Sequence, residues 1–294
     1  MDTSTRNRDT LSPPPDPSPH GPTRFTAPVG AVDTHAHIVG DSEHMSEQRS
    51  YTPPPATGDA YLHMLDVEGM TYGVLVQISV HGTDNTLLIE MLRSHRERLK
   101  GVAVIAPDSS DAELSQFSDA GVVGLRMNTM IGGGIGFDHL DRYEAICEEM
   151  GWHLQFIANV ESLRPVASRL EGLRVPYVID HMGDFKVADG LDSPDWKLML
   201  SLMADGAWTK LSGAYRLSET PPYQDTVPFA RALIEAAPGR CVWGSDWPHT
   251  GFWGPMPNVG DLLDLLVDWA PDSATRNAIL TTNAWQLYGF PTSS

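Results

Sequence analysis

The sequence predicts an α/β fold, a single (β/α)8 TIM barrel. Three observations carry that prediction. Eight short apolar runs recur along the chain, each bounded by turn residues. Stretches with helical spacing of apolar residues separate most of them. Histidine, aspartate and arginine gather at the C-terminal ends of the runs, where barrels of this kind place their chemistry.

The expected strands are Val32–Val39, Gly73–Ile78, Gly101–Ile105, Val122–Met127, His153–Ile157, Tyr177–Asp180, Trp208–Leu211 and Cys241–Gly244. Most are apolar nearly throughout, as parallel strands buried on both faces should be. The expected helices are Asn85–Arg98, Asp111–Ala120, Asp138–Met150, Glu161–Leu170, Ser193–Met203, Thr226–Ala237, Val259–Trp269 and Ser273–Leu287. Leu87, Leu88, Met91 and Leu92 put one apolar face on the first of these. Asp111 and Ser193, each with an acidic residue in the first turn, read as helix starts. An open doubly wound sheet is the rival architecture. It would normally carry a Gly-rich phosphate turn after the first strand, where this chain has His35-Ala36-His37. The run Gly132-Gly133-Gly134-Ile135-Gly136 has no P-loop lysine and reads as a flexible loop over the barrel mouth.

Residues 1–24 are rich in Pro, Ser, Asp and Thr and read as a disordered or surface-wrapping arm, leaving 25–294 for the barrel. The arm has no apolar core of the kind a signal peptide needs, and no apolar run reaches the roughly 20 residues that span a bilayer. Cys147 and Cys241 lie in apolar stretches and read as buried free thiols, so a cytoplasmic location is expected. With 38 Asp+Glu against 20 Lys+Arg the formal net charge is −18. That disfavours nucleic acid and anionic membrane surfaces as partners. A small anion is compatible with it, because local arginines outweigh distant charge once water is displaced. A homo-oligomer is left open.

Strand one ends in Asp33-Thr34-His35-Ala36-His37, and alternation along a strand points both histidines into the barrel mouth. The second ends in Ser79 and His81, the fourth in Arg126, the sixth in His181, the seventh in Arg216 and the eighth in Asp246. Three imidazoles and a carboxylate can activate water or bind a divalent metal, and two arginines can grip a carboxylate.

Val-Asp-Thr-His-Ala-His near the start, Asp-His-Met-Gly in the second half and Trp-Gly-Ser-Asp-Trp-Pro-His near the end resemble the amidohydrolase superfamily. The segment Val76–Asn85, with Gly124-Leu125-Arg126-Met127-Asn128 and Thr282-Asn283, is similar to the 2-pyrone-4,6-dicarboxylate lactonase group, which includes sulfomuconolactone hydrolase and a sugar-lactone isomerase. The resemblance implies a distorted barrel that opens a carboxylated lactone by water attack. It implies Asp246 as general base, and His35, His37 and His181 around the lactone carbonyl. Arg126 and Arg216 would bind substrate carboxylates, with Tyr51, Ser79 and His81 lining the rest of the pocket. Two positions depart from the group's pattern. No basic residue follows in Thr129–Gly134, and strand five ends in Phe156-Ile157-Ala158-Asn159 without a tyrosine. The substrate expected is therefore a lactone with fewer or different anionic groups.

On metal, two arguments oppose each other. Strand five ends without histidine and strand four offers Arg126, which cannot ligate a cation, so no cofactor is favoured. If a divalent metal is bound, His35, His37, His181 and Asp246 would hold it, with Zn2+ the first choice for imidazoles. The alternatives to a lactone hydrolase are a zinc-dependent decarboxylase of the aminocarboxymuconate-semialdehyde type, a lactone isomerase and, least favoured, a binding barrel without activity.

Overall fold

The computed structural model describes residues 8–132 and 134–291. Gly133 of the glycine run, residues 1–7 of the expected arm and residues 292–294 lie outside the described residues. Eight parallel strands follow one another around a sheet in chain order: β1 (Val32–Ala36), β2 (Tyr72–Val76), β3 (Leu99–Ala103), β4 (Val122–Asn128), β5 (His153–Ile157), β6 (Tyr177–Ile179), β7 (Trp208–Leu211) and β8 (Cys241–Trp243). The barrel closes except for one seam between β8 and β1. There the link runs through side chains and loop backbone: Thr34 Oγ1 donates to Trp243 O (2.8 Å), and His37 N donates to Trp247 O (2.8 Å). A side chain at Gly244 would put its Cβ 2.6 Å from that of His35, so the seam needs glycine here.

Alternation along the strands sorts the barrel into two faces. Outward positions meet helices: Gly73 abuts Tyr61 and Leu65, and Gly101 abuts Leu88 and Leu92. The intervening Val74, Val76, Val102, Val178 and Val242 form a separate inner cluster, which Ala284, Tyr288 and Phe290 of the C-terminal segment plug. Above this valine floor the inward positions turn polar, with Gln155, Asp180 and Lys210 all fully buried.

The strands shorten where they reach the mouth. β1 stops at Ala36 and β6 at Ile179, because the chain then leaves the sheet to place His37 and His181. The helix Gly58–Glu68 was not among those expected; Thr57 caps its start and Gly69, with φ 75°, ends it. The expected Glu161–Leu170 breaks around Pro165 into Val160–Leu163 and Ala167–Glu171. The expected Ser273–Leu287 divides at Thr281. Cys147 and Cys241 are buried and unpaired.

Residues 8–24 run along the barrel's outside. Ser12 N donates to Thr52 O (3.0 Å), Gly251 N to Ser12 Oγ (3.2 Å) and Trp253 Nε1 to Leu11 O (2.9 Å). Thr23 and Arg24 are tied to Asp264 by their backbone amides. No described helix is long and apolar enough to cross a membrane.

Candidate active site

Asp246 organises the mouth. Its backbone N donates to His35 O (2.8 Å), and it sits at φ 59°, a left-handed conformation that costs a non-glycine residue energy. Asp33 holds this turn from below by accepting from Ser245 N (2.8 Å) and Ser245 Oγ (2.7 Å). His181 and Met182 are also left-handed, at φ 49° and 54°, in the tight turn that follows β6. Strained backbone thus concentrates at the strand ends that carry the titratable groups.

The two oxygens of Asp246 have different surroundings. Oδ2 accepts from Tyr215 OH (2.5 Å) and Arg216 Nε (2.7 Å). Oδ1 lies 3.8 Å from His35 Nε2, 3.9 Å from His37 Nε2 and 3.7 Å from His181 Nε2. Burial alone would push this carboxyl up, but Arg216 is the largest of the groups that outweigh it and hold the pKa well below the usual carboxylate range; the imidazoles add to this only when charged. Burial in turn lowers His35 well below the usual imidazole range, His37 to about 3, and His181 below its ordinary value. All three imidazoles are therefore neutral around pH 7.

Hydrogen bonds behind these rings assign their protons. Lys210 Nζ donates to His35 Nδ1 (3.1 Å) and to Gln155 Oε1 (2.7 Å). Burial lowers its ammonium to about 8, which leaves it protonated at pH 7. An ammonium can only donate, and His37 Nε2 lies 3.2 Å from His35 Nε2, so these two contacts put the His35 proton on Nε2; Asp180 Oδ1, 3.2 Å from His35 Nδ1, is the competing acceptor that would draw it to Nδ1. His37 Nδ1 must then donate to Val76 O (2.7 Å), because a carbonyl only accepts. Gln155 Nε2 completes the support by donating to Asp180 Oδ2 (3.0 Å). His181 Nδ1 pairs with Ser212 Oγ (2.8 Å).

Two adjoining cavities lie above. An inner chamber of about 70 Å³ is lined by His37, His181, Asp246, Arg126, Ser79 and Tyr51, with Arg216 at its edge. A wider vestibule of about 560 Å³ opens outward from it. The expected residues Asp246, His37, His181, Arg126, Arg216, Ser79 and Tyr51 thus meet at one chamber. His35 lies beneath, fully buried, and reaches it through His37. His81 is not part of the lining; its Nε2 accepts from Gly40 N (3.3 Å). Arg126 is 3% exposed, donates through Nη1 to Gln77 O (3.1 Å), and keeps Nε without a partner. Arg216 differs: its Nε and Nη2 are committed to Asp246 and Thr250 O. Sequence reasoning missed Lys210, Gln155, Asp180 and Tyr215. A lysine inside the otherwise buried strand Trp208–Leu211 was the available signal.

His35, His181 and Asp246 each offer a ligand atom, all within 4.8 Å of one another, a spacing that could hold a metal ion.

A family model described as Amidohydrolase matches residues 32–290. The chain belongs to this amidohydrolase family. A 4-sulfomuconolactone hydrolase of Hydrogenophaga intermedia is 38% identical to this amidohydrolase over 279 residues, covering 91% of each chain. A 2-pyrone-4,6-dicarboxylate hydrolase of Comamonas testosteroni is 34% identical, covering 90% of this chain and 92% of its own. Among solved structures, one from Acinetobacter baumannii with citric acid bound is described as a probable 2-pyrone-4,6-dicarboxylic acid hydrolase. It superposes with a TM-score of 0.80 at 29% identity, covering 89% of this chain and all of its own.

Proposed function

We propose that this amidohydrolase is a lactone hydrolase that opens a carboxylated lactone by water attack, with Asp246 as the base. The observation that carries the reading is the asymmetric carboxylate. Oδ2 is clamped by Arg216 and Tyr215, while Oδ1 faces the three imidazoles within 3.7–3.9 Å. The names of the lactone-hydrolysing relatives support it. Water adds to the acyl carbon and gives a proton to Asp246 Oδ1. The acyl–oxygen bond of the ring then breaks, and the proton passes to the departing ring oxygen. A carboxylic acid and a hydroxyl result, and the acid gives up water's second proton to solvent to become a carboxylate, with no outside reactant beyond water.

The proton assignments divide the histidines. His37 has spent its one proton on Val76 O, so its Nε2 is an acceptor when neutral. Ser212 can donate to His181 Nδ1, which puts the His181 proton on Nε2 at the chamber. His181 and Arg126 therefore form the oxyanion and carboxylate contacts in this reading, and the His35–His37 pair orients the floor.

The same assignment favours a metal-free site. Lys210 occupies His35 Nδ1 and leaves the Nε2 of His35 a donor, which is not a ligand lone pair. His35, His181 and Asp246 would hold a divalent ion only after both His35 and His181 exchanged tautomers, and the ion would then polarise a carbonyl or bound water.

The test is a panel of carboxylated lactones followed by proton release at constant pH. The wild type should release one proton per ring and keep its rate after chelation. Asp246→Asn should lose about 10³-fold in kcat, in line with roughly 10²–10⁴-fold for positioned general bases. Full activity in Asp246→Asn would overturn the role of Asp246, and loss of activity on chelation with return on adding zinc would overturn the metal-free site.

A further inference from the structure

The inner chamber is too small to hold a whole ligand by itself. Its volume of about 70 Å³ is far below the roughly 300–1,000 Å³ of ordinary small-molecule pockets. The adjoining vestibule, at about 560 Å³, lies within that range. Tyr51, Met130, Ile131, Asp184, Arg216 and Thr250 line both, so the two spaces are one continuous path. Whatever reacts at Asp246 has to fill part of the vestibule.

The walls of the vestibule are apolar and aromatic: Met130, Ile131, Leu217, Tyr223, Phe252 and Trp253. Two edge-on ring pairs stiffen them, Tyr51 with Trp253 (5.8 Å) and Tyr215 with Phe252 (4.7 Å). Met130 stands 37% exposed at the rim, an apolar side chain facing water with no packing reason. The charges present do not invite a second anion. Asp184 stands at the junction of the two spaces and Glu219 further out. They offset Lys186, which keeps its charge while donating to Arg216 O (2.9 Å), and Arg216 is ion-paired with Asp246, so the lining has no excess cation. Arg126, deep in the chamber, donates to Gln77 O, lies with Nη2 3.7 Å from Asp180 Oδ2, and keeps Nε unpartnered.

We infer that the vestibule is a subsite for a neutral aryl-sized substituent, so that the substrate is a lactone with one carboxylate toward Arg126 and an apolar group outward. The inference rests on the lactone-hydrolase reading for the word lactone, but the subsite is testable without turnover. Two monocarboxylates, 4-phenylbutanoate and butanoate, and the dicarboxylate adipate can be titrated into the wild-type protein by calorimetry. Burying a phenyl group contributes roughly 1.5–3 kcal/mol, or about 10–150-fold in affinity. The phenyl compound should therefore bind at least about 10-fold more tightly than butanoate, and adipate should show no such gain. Phe252→Ala and Leu217→Ala, both in the vestibule wall and outside the chamber, should each shrink the phenyl advantage while butanoate binding stays level. Adipate binding as tightly as 4-phenylbutanoate, a phenyl advantage untouched in both variants, or no binding by any of the three would overturn the subsite. A subsite that binds as stated in a protein that opens no lactone would leave the subsite standing and sink the lactone-hydrolase reading instead.

Discussion

Asp246 at the barrel mouth and Glu68 at the end of the outer helix Gly58–Glu68 are both carboxylates only 1% exposed, yet the structure holds them in opposite states. Asp246 lies among Arg216, Tyr215 and three imidazoles, and stays ionised far into acid. Neither oxygen of Glu68 has a hydrogen-bond partner among the described residues, and its charged neighbours Asp33, Asp264 and Asp261 are all acidic. Burial, with those like charges, pushes it up to about 8. Depth of burial is therefore not what sets a carboxyl's charge in this fold; the partners are. A buried charge is retained where cations and donors replace its lost water, and is given up where they do not.

After removal of Asp246 itself, the largest blow to this contrast is removal of the cation that sustains it. Arg216→Met takes away the ion pair at 2.7 Å and leaves Asp246 only its tyrosine and imidazoles. The Asp246 carboxyl should rise. A base must be ionised to act, so activity is lost as pH falls through its pKa, and the acid limb of the pH–rate profile should move toward neutral pH. At pH 7 a loss of about 10–100-fold in kcat/KM is expected, from roughly 1.5–3 kcal/mol for a charge-assisted hydrogen bond. Arg216→Lys should recover part of the shift. An unmoved acid limb in a folded Arg216→Met protein would show that Arg216 is not what keeps Asp246 charged.

Lys210 supplies the next test. Its ammonium faces His35 and, at 3.4 Å, the buried Asp180, whose carboxyl it helps to hold well below the ordinary value against burial. Lys210→Met leaves Asp180 Oδ1, 3.2 Å away, as the partner of His35 Nδ1; a carboxylate accepts, so the ring proton moves to Nδ1 and Nε2 becomes a lone pair. The variant should bind Zn2+ more tightly than the wild type by calorimetry, because His35 Nε2 then offers a lone pair beside Asp246 and only His181 still has to turn its proton to Ser212. Equal zinc affinity in the two proteins would mean that Lys210 does not set the tautomer.

Much of this was readable before any coordinates. Eight apolar runs and the histidines, arginines and aspartate at their ends were enough to foresee the barrel and most of the chamber lining. The strand-end rule works because inward side chains at a strand's last residues have nowhere to point but the mouth. It fails one layer down. Lys210, Gln155 and Asp180 share the inward face but lie below the mouth, and their meaning is in pairings across β5, β6 and β7 that register alone creates. Arg216 was legible as a site residue, but its partner was not. Whether it serves substrate or Asp246 depends on a loop conformation, φ 59° at Asp246, that no local propensity signals. The vestibule was partly legible in the missing basic residue after Arg126, since Met130 and Ile131 stand there.

The last test is of stability alone, and it comes from the other carboxylate. Glu68 is raised from 4.5 to about 8 in the fold, so between those values the native protein holds a proton that the unfolded chain has released. Stability contributed by this group is fully present below the unfolded value and is lost as pH rises through about 8. The slope from one such group cannot exceed about 1.4 kcal/mol per pH unit. Glu68→Gln keeps the shape and removes the ionisation. Denaturant unfolding at a series of pH values should therefore show the two proteins alike near pH 4, with the variant gaining on the wild type from about pH 5 to 8 and keeping a constant lead above. Parallel curves across that range would mean that Glu68 finds a partner or water in solution. The rule that partners, and not depth, decide a buried carboxyl's charge would then lose its uncharged half.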